Sequence, residues 1–155
     1  MLKSYKKLKI ACIQMNSQDN IDSNISFIKK KITYVSKKDA KLIILPENCF
    51  LMSKNNKQLS KFSFTEDKHP GVIEMKKIAK NFGVWIVIGS VNVKEKEKTF
   101  NRSLLINNQG QIKARYDKIH LFVAKLPNGK NYDETKCFTS GKTICLPKLP
   151  WGKIG

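Results

Sequence analysis

Arginine is nearly missing from this sequence. Arg102 and Arg115 accompany 28 lysines, and only 12 acidic residues oppose them, leaving a formal net charge of +18 over 155 residues. Proteins that read phosphates or guanines usually rely on arginine, whose planar fork matches those groups with two hydrogen bonds. The lysines are also scattered, the tightest runs being Lys6-Lys7 and Lys29-Lys30-Lys31. They are read mainly as a solvated surface. A specific nucleic-acid-binding module is therefore set aside, although this much charge attracts polyanions weakly at low salt.

Histidine and cysteine are scarce as well. His69 and His120 complete no zinc pattern, and Cys12, Cys49, Cys137 and Cys145 contain no C-x-x-C pair. Cys12 lies in an apolar run and is read as a buried small hydrophobe. Long apolar runs are missing too. The one behind the basic N-terminus covers only Ile10 to Ile13, too short for a signal core, and no segment approaches a membrane span. A reduced cytoplasm is the expected setting, with no membrane partner. What is present is 41% hydrophobic residues with eight Phe, enough for a folded globule. The length is that of one domain.

Hydrophobic periodicity places the elements. Leu8–Met15 reads as a buried strand, and the polar "NSQDN" after it holds helix-capping residues. Ile21, Ile25, Ile28, Ile32 and Val35 share one helical face. Lys41–Glu47 is a second strand, stopped by Pro46. Strand, helix, strand in this order predicts a parallel pair. Residues 51–70 read as an irregular excursion. A helix is expected over Val72–Phe82, closed by Gly83. "VWIVIGS" is another buried strand, "VKEKEK" a hairpin tip, "TFNRSLLI" its returning strand, "NNQG" a turn and "QIKARY" a further strand. Little regular structure is expected from Asp117 to Gly141, and Lys142–Pro147 reads as a short late strand. With no repeat and no linker, one α/β domain over residues 1–155 is the simplest architecture.

Two polar residues stand out by position. Glu47 comes directly after the buried "LIILP", at the carboxyl end of a strand, where ligands and catalytic groups collect in α/β sheets. An ordinary exposed turn carboxylate would look the same. Lys118, in "YDKIHLF", also follows a strand and has apolar neighbours. Such a lysine either has a lowered pKa or serves as a fixed cation, and a snorkelling surface lysine is the alternative.

Five phrases occur in order: "LPEN" (Leu45–Asn48), "FNRSLLINNQG" (Phe100–Gly110), "YDKIHLF" (Tyr116–Phe122), "LPNGKNYDETKCFTSG" (Leu126–Gly141) and "PWGKIG" (Pro150–Gly155). Together they resemble the carbon–nitrogen hydrolase (nitrilase) superfamily, in its branch of ω-amidases and deaminated-glutathione amidases. The resemblance implies a four-layer α-β-β-α sandwich, of which this chain would form part, and a Glu–Lys–Cys triad. Glu47 would be the general base and Lys118 the cation beside the tetrahedral oxyanion. Glu134 would be a second glutamate bonded around the lysine and the substrate. The substrate would be a small linear amide, cleaved to an acid and ammonia through a thioester, with no metal and no organic cofactor.

The same resemblance places the nucleophilic cysteine a few residues after "GKIG". None of the four cysteines matches that position, and Cys49, two residues from Glu47, is not a substitute on the family pattern. The expectation is a truncated domain that is inactive alone. It is either the N-terminal part of an enzyme or a non-catalytic fragment or subunit needing a complementing C-terminal chain, with homo-oligomers as a further option. The chain also departs from the family at Val123-Ala124-Lys125, where an acidic stretch usually follows "HLF". Glu47 and Lys118 are expected at the carboxyl ends of neighbouring strands, with Glu134 close by.

Overall fold

The computed structural model describes residues 7–53, 55–125, 127, 129 and 131–155. Lys6 of the first lysine run, and Leu126, Asn128 and Lys130 of the fourth phrase, lie outside the described residues. The chain opens as β1 (Ile10–Cys12), α1 (Ile21–Ser36) and β2 (Leu42–Ile44), with β1 and β2 parallel and Ile10 opposite Leu42. Both strands are shorter than the apolar runs that announce them. Beyond the ladders, single bonds continue the pairing, from Ile13 N to Ile44 O and from Leu45 N to Val87 O, each 2.9 Å. Asn20 caps α1 by accepting a hydrogen bond from Ser23 N at 2.9 Å. The helix buries Ile21, Ile28 and Ile32, so its stripe follows the 3.6-residue period.

The excursion expected to be irregular contains a short helix, α2 (Asn56–Lys61). Asn55 Oδ1 accepts from Gln58 N at 2.9 Å, a local cap that periodicity alone does not reveal. Next comes α3 (Pro70–Phe82), beginning two residues before the apolar pattern does. Pro70 is pre-set for a first helical turn, and His69 Nδ1 accepts from Gly71 N at 3.1 Å. Gly83 closes the helix in the left-handed region, at φ 64°. Val72, Met75 and Ile78 face the core, whereas Ile73 and Phe82 are exposed.

An antiparallel meander completes the sheet: β3 (Trp85–Glu95), β4 (Lys98–Ile106) and β5 (Ile112–Asp117). Since β3 also runs parallel to β2, the spatial order is β1-β2-β3-β4-β5. One face of this mixed sheet packs on the helices, Ile43, Ile86, Ile88 and Leu104 meeting Ile28, Ile32 and Met75. Each such side chain contributes roughly 2 kcal/mol when fully buried. No helix among the described residues is long and apolar enough to cross a membrane.

The opposite face is only partly covered. A hairpin of β8 (Lys148–Leu149) and β9 (Gly152–Lys153) brings Leu149 and Ile154 over Leu42 and Leu105, and Trp151 edge-on to Trp85 at 6.2 Å. This face corrects two expectations. Cys12 is exposed, because side chains alternate along a strand and Ala11 and Ile13 take the helical side. Lys142–Pro147 forms no strand; it has no ladder partner, and Ile144 is 84% exposed. Between Asp117 and Gly141 the chain is more regular than expected. Val123-Ala124-Lys125 becomes β6 (Val123–Lys125), paired with β7 (Asn131–Asp133), and a 3-10 turn spans Glu134–Lys136. The architecture is α/β: a helical layer on a mixed sheet, with the beginnings of a layer on the far face.

Candidate active site

Glu47 lies in the turn that ends the β2 segment. Pro46 stops the strand, and the turn is held from beneath by a bulge in β3 between Ile88 and Val91. Gly89 in that bulge is so close to Leu45 and Pro46 that an added Cβ would stand 2.3 Å from Leu45 O. Ser90 Oγ accepts from Asn48 N at 2.9 Å. Lys118 follows β5 directly and donates its backbone N–H to Asn101 O in β4 at 2.9 Å. The end of β5 is clamped by Arg102, whose buried guanidinium donates to both oxygens of Asp117 at 2.7 and 3.0 Å and to Glu95 at 2.6 Å. Glu134 opens the 3-10 turn. Its backbone N–H donates to Phe122 O at 2.9 Å, and its Oε2 accepts from Phe122 N at 2.7 Å.

These placements bring the three candidate residues together. Lys118 Nζ lies 2.9 Å from Glu47 Oε1, 2.9 Å from Glu134 Oε2 and 3.2 Å from Glu134 Oε1. Glu47 and Lys118 do not follow neighbouring strands, however. Between β2 and β5 stand β3 and β4, about 14 Å of sheet at ordinary strand spacing. The lysine stem and a residue of β4 close that gap. That residue is Asn101, whose Nδ2 donates to Glu47 Oε1 at 2.8 Å. Asn101 lies inside one of the recognised phrases, but its place in the cluster could not be read from it. Its neighbours Thr99, Arg102 and Ser103 are polar too, so the strand's pattern does not single it out.

The charges follow from these contacts. Burial pulls the Lys118 pKa down, but hydrogen bonds to Glu134 and Glu47, and their negative charge, outweigh it and leave it above the ordinary lysine value. Lys118 is thus a fixed cation, and its side chain is only 25% exposed, unlike a snorkelling lysine. The two glutamates differ in what they have free. Both oxygens of Glu134 are engaged by Lys118 or Phe122 N. Among the described residues, every hydrogen bond to the Glu47 side chain goes to Oε1, so Oε2 keeps its lone pairs, and the carboxylate is half exposed. Glu134 also lines a cavity of about 480 Å³ with Asn48, Met52, Asn92, Phe122 and Tyr132.

The cysteines behave otherwise. Cys49 Sγ is buried and lies 3.7 Å from Ser90 O, on the core side of the turn, and burial pushes its thiol pKa up. Cys137 borders the cavity, and its thiol is also pushed up, by burial and then by Asp133 and Glu134. A thiol held protonated is a poor nucleophile.

Comparison with known proteins places this geometry. Residues 9–155 match the family model described as carbon-nitrogen hydrolase. Nitrilase homolog 2 of Dictyostelium discoideum is 32% identical over 152 residues, which cover 97% of this chain and 46% of that protein. Deaminated glutathione amidase of Yersinia enterocolitica is 29% identical over 154 residues, covering 97% and 53%. Omega-amidase NIT3 of Saccharomyces cerevisiae is 26% identical over 160 residues, covering 97% and 54%. The crystal structure of S. cerevisiae Nit3, a member of the nitrilase superfamily, superposes with a TM-score of 0.78 at 22% identity, over 94% of this chain and 53% of that one. The chain spans about half the length of these curated relatives. With a family model matched along nearly its whole length, the chain belongs to the carbon–nitrogen hydrolase family.

Proposed function

We propose that this chain supplies the base and the oxyanion cation of an amide-cleaving site of the Glu–Lys–Cys kind. In this reading the domain is the first part of a longer catalytic unit. The attacking thiol comes from polypeptide outside this sequence, in the same or a complementing chain. Glu47 Oε2 takes the thiol proton as sulfur attacks the amide carbon. Lys118 faces the oxygen that becomes negative, where a preorganised donor is worth about 3 kcal/mol. The tetrahedral intermediate collapses to a thioester. The amide nitrogen leaves as ammonia, taking the proton from Glu47. Water, deprotonated by the same carboxylate, then splits the thioester to acid and free thiol. Glu134 orients the lysine and takes no proton.

One observation carries this division of labour. Among the described residues, Glu47 is the one of the two carboxylates on Lys118 that keeps an oxygen without a donor, so it can accept a proton without breaking the cluster. The relatives named for amidase activity on deaminated glutathione and ω-amides support a small linear amide as substrate. The test is ammonia release from α-ketoglutaramate by the chain alone and by the chain joined to a cysteine-bearing second half from a relative. We expect turnover only from the joined protein, with loss of nearly all of it in Lys118→Ala, on the scale of removing one member of a concerted set. Turnover by the short chain that disappears in Cys49→Ser would overturn the proposal.

A further inference from the structure

Asn101 sits in the interior of β4, opposite Asn92 of β3, and is 2% exposed. A buried amide is costly unless its groups are bonded. Here the residue is bonded to both partners of the ion pair. Its side-chain Nδ2 donates to Glu47 Oε1 at 2.8 Å, and its backbone carbonyl accepts the backbone N–H of Lys118 at 2.9 Å. Glu47 otherwise stands half exposed on a turn, on a side chain with several rotatable bonds. Two donors, Asn101 Nδ2 and Lys118 Nζ, converge on the same oxygen. That convergence fixes the plane of the carboxylate and leaves Oε2 as its free edge.

We infer that Asn101 is the positioning residue of this site: it registers Glu47 against Lys118 and selects which carboxylate oxygen is presented as the base. The inference rests on the functional reading above but concerns a different atom. Asn101 touches no substrate; it acts through Glu47. Replacing its side chain frees the Glu47 carboxylate to swing into solvent, which takes one of the two anions away from Lys118.

The test therefore begins with the lysine. The Lys118 side chain is titrated by NMR in the 155-residue chain, with Glu47→Gln as the benchmark for a lost anion. In Asn101→Leu, which keeps the bulk without the donor, and Asn101→Ser, whose hydroxyl is too short to reach, the midpoint should fall toward the benchmark. The drop should be roughly one pH unit, the order expected for losing an opposite charge at hydrogen-bond distance. In the joined protein, kcat should fall about 100-fold with KM little changed, the effect of a base misplaced by about 1 Å. If Lys118 titrates as in the unsubstituted chain in whichever variant folds, Asn101 does not hold Glu47 and the inference fails. If the midpoint falls but the unsubstituted joined protein is inactive, the positioning role stands and the proposed chemistry fails. An active joined protein whose kcat ignores Asn101→Leu would also overturn the inference.

Discussion

Gly141→Ala should disconnect the site without touching any of its charged groups. Gly141 sits against the strand end that carries Lys118. Its N–H donates to Lys118 O at 3.0 Å, and a Cβ built on it would stand 2.0 Å from Asp117 O and 2.7 Å from Asp117 C. Real Cβ atoms essentially never come within 3.0 Å of such neighbours, so the two segments must separate by about 1 Å. The obstacle is backbone, which cannot swing aside as a side chain could. Lys118 Nζ now bonds Glu47 and Glu134 at 2.9 Å. A displacement of about 1 Å carries those contacts beyond hydrogen-bonding range. Overpacking of this kind costs about 1–3 kcal/mol of stability, and a misplacement of about 1 Å costs about 100-fold in rate. The control is Gly83→Ala, at the end of α3. There φ is 64° and a Cβ would meet nothing within 4 Å, so the penalty is conformational, about 1–2 kcal/mol. Both variants should lose similar stability in urea melts. Only Gly141→Ala should lower the Lys118 titration midpoint and the kcat of the joined protein. A Gly141→Ala protein with an unshifted Lys118 midpoint would refute the steric reasoning, because it would mean the strand end accommodates a methyl group without moving.

Three further outcomes follow from burial and charge. His69 is buried between Phe50 and Phe64, and burial holds its imidazole neutral, with a pKa lowered to about 4. Its stabilising contribution is complete above the unfolded value near 6.5 and is lost as pH falls toward 4. That loss is about 2 kcal/mol by pH 5 and about 3 kcal/mol in full; urea midpoints of His69→Asn, which keeps a capping acceptor, should lack this slope. Cys12 is exposed and Cys49 buried, so alkylation followed by mass spectrometry should modify Cys12 first, and Cys49 only at the rate of unfolding. Ile144, Leu146 and Trp151 are apolar yet 84%, 58% and 42% exposed. The isolated chain should therefore self-associate with rising concentration, and paired Ile144→Ser and Leu146→Ser changes should reduce this in sedimentation experiments; an unchanged profile would place the contact elsewhere.

The two longer helices, α1 and α3, and the parallel pair of β1 and β2 were legible in the sequence because their causes are local. An isoleucine every three or four residues makes the stripe of α1, Gly83 ends α3, and Pro46 stops the β2 run, whatever lies across the sheet. The recognised phrases also named Glu47, Lys118 and Glu134 as candidates before any distance was known. Other features depend on partners that a linear pattern does not display. Cys12 looks buried in its run, yet it faces the open side because only one face of β1 meets a helix. Lys142–Pro147 has strand-like residues but no neighbour to pair with. Glu47 and Lys118, far apart in sequence, meet across two intervening strands only because the bulge at Gly89, the Arg102 clamp on Asp117 and the amide of Asn101 bring the two turns into register. Residue type and local period determined which side chains this protein can bring to a site. The pairing of strands and the close approach of backbones decided which of them meet, because hydrogen bonds and steric contacts act over a few ångströms in space, whatever the separation along the chain.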